Sequence, residues 1–265
     1  MFRSWSIARC SAASAASFGA LLFSAAPVLA GDAAARSVLG FSPDGRYFAF
    51  EQFGVFYEEE GGYAELQIID TTTDSFVPGS PSRSQTKKDL PDLDALKDGQ
   101  RVKARAPFID FLRSRRIQAP GERIEGAPSF PLDDAGIYQG HRQPMASAML
   151  VPIAEGVAAR LDIEPTPFGM ATCEGAGGRG VAGEAPVAGY TLKMMLKGET
   201  IVLHGDQKLP AARRCAGEYG LAEAWLHRAK DGEKTLAVIV EFTDFNGFHA
   251  GPNRRFMAVT KRLGK

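Results

Sequence analysis

Near the carboxyl end, Leu236, Val238, Val240 and Phe242 alternate with Ala237, Ile239, Glu241 and Thr243, the period of two that marks a strand. A face so apolar must be buried against another sheet or a helix. The run 221–228 leads through Asp231-Gly232 into 234–245, and 255–263 follows after a loop. Asp-Gly between two such runs signals a hairpin. Just upstream, Tyr190, Leu192, Met194 and Leu196 alternate with Thr191, Lys193 and Lys197, broken only by Met195. Gly198 then turns the chain into a returning run, 199–204.

A second β-rich region lies toward the amino end. In residues 38–54, VLGFSPDGRYFAFEQFG, Ser42-Pro43-Asp44-Gly45 fits a tight turn between two apolar, aromatic runs. Residues 62–70 read as a third strand, Thr71-Thr72-Thr73-Asp74 as a turn, and Ser75-Phe76-Val77 as the start of a fourth. One four-stranded antiparallel sheet is expected here. Gly62-Tyr63-Ala64-Glu65 is echoed by Gly220-Leu221-Ala222-Glu223, each opening a strand.

The middle of the chain changes character. Residues 78–90, rich in Pro, Ser and Lys, read as a loop. From 91 to 117, Leu93, Leu96, Val102, Ala106, Ile109 and Leu112 follow helical spacing, interrupted by Gly99 and Pro107. Two short helices or one kinked helix are expected. Arg101, Lys103, Arg105, Arg113, Arg115 and Arg116 crowd this segment, which fits either an anion-binding surface or a solvated face above an apolar stripe. Residues 118–140 and 164–189, dominated by Gly and Pro, are expected as surface loops. The fold expected is mainly β: two antiparallel sheet modules, about 36–80 and 187–265, joined by a helical and loop-rich insert, about 81–186. They would pack as a sandwich or an irregular propeller-like fan.

The amino terminus alters the domain picture. Arg3 and Arg9 precede an uncharged stretch, and Val28-Leu29-Ala30 offers suitable residues for cleavage, the pattern of a secretory signal peptide over 1–30. The most apolar part, 18–30, is 13 residues long, short of the roughly 20 that a membrane span needs. A mature domain over 31–265 is expected, secreted or periplasmic, with no transmembrane span.

Lys plus Arg and Asp plus Glu number 31 each, a balance that argues against a nucleic-acid partner. Of three cysteines, Cys10 falls in the leader. The remaining pair, Cys173 and Cys215, is expected to form a disulfide in an oxidising compartment.

Candidate chemistry is sparse. The glycine run 175–180 is followed by Gly183, Pro186 and Gly189, so it cannot open the helix a dinucleotide loop requires. His141, His204, His227 and His249 share no ligand spacing, and Cys-x-x-Cys, Gly-x-Ser-x-Gly and P-loop motifs are missing. No metal, cofactor or catalytic set is expected. His204-Gly205-Asp206 supplies either two metal ligands or a strand end turning at Gly. Glu58-Glu59-Glu60 either holds a hard cation or is solvated. The densest segment is 244–255, which contains both asparagines of the chain. Asp244, Asn246, His249, Asn253 and Arg254 there form a candidate ligand loop, though Asn-Gly and Gly-Pro-Asn also suit a tight backbone path.

The leader, VLGFSPDGRYFAFEQFG, GYAELQIID, the central helical region and the closing GPNRRFMAVTKRL together resemble a family of predicted secreted bacterial proteins classed as a domain of unknown function. The resemblance implies an extracytoplasmic, β-rich protein with no established activity. VLGFSPDGRYFAFEQFG alone also resembles a WD or TolB-type propeller blade, but no repeat of about 40 to 45 residues accompanies it. The function expected is non-enzymatic binding, of an envelope protein or a small ligand. The alternatives are a hydrolase built around His249 and Asp244, or a cation-stabilised structural module.

Overall fold

The computed structural model describes residues 33–56, 61–87, 93–118, 121–125, 145–174, 176, 181–245 and 253–265. The expected leader, Glu58-Glu59-Glu60, most of the glycine run, Asn246 and His249 lie outside them.

The first sheet contains β1 (Ala35–Phe41), β2 (Tyr47–Phe56), β3 (Gly61–Asp70) and the short β4 (Ser75–Phe76), in that order, with β5 (Ser82–Lys87) also on β3. The Ser42-Pro43-Asp44-Gly45 turn closes β1 onto β2. Gly45 N–H donates to the Ser42 carbonyl at 2.8 Å, and the Ser42 hydroxyl donates to Asp44 at 2.6 Å. Gly45 has φ +68°, which a side chain disfavours. The turn also docks on the rest of the protein: the His227 ring lies 3.2 Å from the Pro43 carbonyl.

Helix α1 (Leu93–Arg105) passes through Gly99 without a break and ends in a 3-10 turn, Ala106–Phe108, that contains Pro107. Helix α2 (Ile109–Ser114) follows. Proline lacks the N–H that would continue the α1 ladder, so it interrupts where Gly does not. Ala104, Phe108 and Ile117 bury against Tyr47, Ala49, Leu66 and Ile68 on the outward face of the first sheet.

The expected second module divides into two sheets. An outer sheet has the order β10-β9-β8-β7, made of β7 (Ala148–Ala154), β8 (Val157–Cys173), β9 (Gly183–Leu196) and β10 (Glu199–Gly205). The middle sheet has the order β13-β12-β11-β6, with β6 (Glu122–Glu125), β11 (Ala216–Arg228), β12 (Lys234–Asp244) and β13 (Asn253–Gly264).

Residues 164–189, expected as loop, instead form a ribbon in which Pro165 pairs with Tyr190, Pro167 with Ala188 and Met170 with Pro186. β7 pairs with β8 only as far as Asp162, and β10 with β9 only back to Thr191. One further backbone bond follows on each side, Ile163 N–H to the Ser147 carbonyl and Asp206 N–H to the Tyr190 carbonyl; beyond these, among the described residues, each ribbon strand has one unpaired edge, where a missing proline N–H removes no ladder bond. Cys173 ends the ribbon and is bonded to Cys215, 42 residues on, with a Cα–Cα distance of 5.8 Å. Closing a loop of that length contributes about 4 kcal/mol in the chain-entropy model.

The sheets stack with the middle one covered on both sides. Leu236, Val238, Val240 and Phe242 of β12 pack with Val151, Leu161, Tyr190, Leu192 and Met194 of the outer sheet. Ala237 and Ile239 pack with Phe41, Phe48 and Phe50 of the first sheet. The described residues thus form a helix on three stacked antiparallel sheets. They form no closed barrel or propeller, and the blade resemblance is not supported beyond one hairpin.

Val240 is fully buried. Val240→Asp is expected to lower stability by roughly 3–5 kcal/mol, since the new carboxylate has no partner there. Thermal unfolding checks this; an unchanged midpoint would contradict the assigned register.

Candidate functional site

Polar side chains between the first and middle sheets are held by specific partners. Gln52 uses its amide as a strand would, donating to the Phe256 carbonyl at 3.1 Å and accepting from the Phe256 N–H at 2.9 Å. Asp74 accepts from the Thr260 N–H and hydroxyl at 2.6 and 2.8 Å.

Where β1 crosses β11 the interface opens into a groove of about 430 Å³, lined by Ala35, Arg36, Ser37 and Val38 on one side and by Arg123, Glu223, Trp225 and Arg254 below. A register shift between Leu221 and Glu223 inserts an extra residue into β11, and such a bulge re-aims a side chain. Leu221 and Ala224 stay in the core shared with the outer sheet, while Ala222 joins the core shared with the first sheet. Glu223 then meets Arg36 of β1 at 3.1 Å and Arg123 of β6 at 2.8 Å. Gly220, just before the bulge, leaves room for Met145, which a Cβ would strike.

Arg254 enters from β13. Its guanidinium donates to the Ala34 carbonyl at 2.9 Å, and its own carbonyl accepts from the Ala34 N–H at 3.2 Å. Arg36 and Arg254 both lie over the Phe256 ring, at 4.7 and 5.2 Å from its centroid.

Burial alone would raise the Glu223 carboxyl, but Arg36 above all, then Trp225 and Arg123, hold it below its ordinary 4.5. The buried Trp225 indole N–H is turned to the same carboxylate without reaching full hydrogen-bond geometry. Burial pulls the Arg254 guanidinium down to about 10; Glu241 opposes that shift and Arg36 adds to it. Two cations are therefore pressed together at one end of the groove.

The expected ligand-loop residues separate. Asp244 and Asn253 face each other as the closing pair of β12 and β13. Arg254, one residue on, belongs to the groove. Asn246 and His249 lie outside the described residues. The His204-Gly205-Asp206 pair resolves as a strand-end clamp. Asp206 accepts from the Tyr190 N–H at 3.0 Å and from both terminal nitrogens of Arg213 at 3.0 and 2.7 Å, and lies 3.1 Å from the His204 ring. Arg213 also donates to the Tyr219 hydroxyl at 2.9 Å, whose pKa burial pushes up to about 12. No group of three potential metal ligands occurs among the described residues. In the basic helical segment, Arg101 and Arg105 both bind Glu51, which is 1% exposed, so they dock α1 on β2.

Arg36, Arg123 and Trp225 were not singled out by sequence motifs, and Glu223 only as the end of an echo, not as a site residue. The available signal was the Gly-Leu-Ala-Glu echo, which sets an acid inside an apolar strand.

Fold and site together define a disulfide-bonded, mainly β protein of three stacked sheets with a cationic groove at one interface. The family model described as predicted secreted protein (DUF2259) matches residues 49–262, and the chain belongs to that family of predicted secreted proteins of unknown function. No curated protein and no solved structure matches it. No helix among the described residues is long and apolar enough to cross a membrane.

A carboxyl held below its ordinary value contributes stability above that value and loses it as pH falls through the folded pKa. Glu223→Gln is expected to cost about 1–2 kcal/mol at pH 7, a gap that closes as pH falls below 4.5. Urea unfolding of both proteins between pH 7 and 3 measures it; a gap independent of pH would contradict the assigned ion pairs.

Proposed function

We propose that this is a non-enzymatic binding protein of the secreted compartment and that its groove takes an anionic ligand. The observation that carries this reading is the convergence of Arg36, Arg123 and Arg254 from three strands onto one groove. Among the residues that line the groove the one acid is Glu223, which ion-pairs with Arg36 and Arg123. Arginine suits the role because its fixed fork matches carboxylate and phosphate geometry. The groove volume also falls within the roughly 300–1,000 Å³ of small-ligand sites.

Trp225 supplies the readout. The chain has two tryptophans, and the other, Trp5, falls in the proposed leader, so protein beginning at Gly31 reports the groove alone. Titration with citrate at low salt is expected to give a saturable change in tryptophan emission. Arg123→Ala should weaken it about tenfold, the equivalent of one charged hydrogen bond. A flat titration, or unchanged affinity in the variant, would overturn the reading.

A further inference from the structure

We infer that the ligand of this groove is an extended acidic peptide segment, which adds to the free edge of β1 as a strand while its carboxylates meet Arg36, Arg123 and Arg254. The inference rests on the anion-binding reading above and assigns the ligand a polypeptide backbone.

Among the described residues β1 is the outermost strand of the first sheet and pairs only with β2. Ala35, Arg36, Ser37 and Val38 line the groove. Among the described residues, Ala33 and Ala34 are tied to Arg254, and the outer edge of β1 makes no backbone bond from Ala35 to Val38. In an antiparallel pair, successive residues turn their N–H and C=O alternately toward and away from the partner. Two of these four residues therefore present donor and acceptor to the groove. Among the described residues β6, whose Arg123 lines the same groove, is likewise an edge strand, paired with β11 alone.

Ala35, Arg36, Ser37 and Val38 are half-buried. Their edge is recessed beside charged side chains, a placement that discourages pairing with a second copy yet leaves the main chain readable by a slender ligand. Four residues of strand span about 13 Å, and alternate side chains of an added strand lie about 7 Å apart on one face. A segment with acidic residues at alternate positions thus points them together at the arginine floor while its main chain bonds β1. This is β-strand addition, in which backbone bonds supply affinity and side-chain pockets supply specificity.

Calorimetry on the chain beginning at Gly31 tests this with a blocked six-residue peptide of alternating Glu and Val, two forms N-methylated at one or the other alternate set of amides, and citrate. The parent peptide is expected to bind at least tenfold more tightly than citrate. One methylated form should lose at least tenfold and the other bind like the parent, because only one set of amides faces β1. Arg123→Ala should weaken both parent peptide and citrate. Equal affinity of the two methylated forms, or citrate binding without peptide binding, would overturn strand addition and leave the anion site standing. Absence of binding by both citrate and peptide would overturn both.

Discussion

Strand β12 is covered on both faces, by the first sheet on one and the outer sheet on the other, and this double burial governs the rest of the structure. A polar group caught between the first and middle sheets is removed from water and needs a partner to avoid a penalty of a few kcal/mol. Gln52 meets the Phe256 main chain, Asp74 meets Thr260 and Glu223 meets Arg36 and Arg123. These contacts fix which strands of the two sheets lie over one another. Apolar packing alone is non-directional and would tolerate several such alignments.

Much of the fold was legible where one periodicity acted alone. The hairpin at Ser42-Pro43-Asp44-Gly45, the β9–β10 turn at Gly198 and the closing strands follow from alternation and turn chemistry. The ribbon of β8 and β9 was not legible, because Gly and Pro normally mark loops and the free edges that tolerate them appear only once the neighbouring strands are in place. The middle sheet was read as part of one module for a related reason. Continuous burial on both faces of β12 depends on a second covering sheet, part of which falls in the stretch read as loop.

The groove was legible only at Arg254. Arg36 lies in β1, Arg123 in the short β6 and Glu223 at a bulge, and the three are far apart in the chain. The bulge between Leu221 and Glu223 is a register property, so alternation by itself assigns Glu223 no side. The disulfide was accessible because counting cysteines does not depend on register. It holds Cys215 at the entry to β11, the strand that carries Glu223 and Trp225 into the groove.

The same ion pairs that align the sheets therefore build the groove, with Glu223 acting as an internal counter-ion that an external anion must compete against. The most direct test is the citrate affinity of Glu223→Gln measured beside wild type at low salt and pH 7. Removing the internal carboxylate while retaining all three arginines is predicted to tighten citrate binding by about tenfold, the worth of one charged contact, despite the loss of stability. Weaker binding by a variant that remains folded would contradict the account.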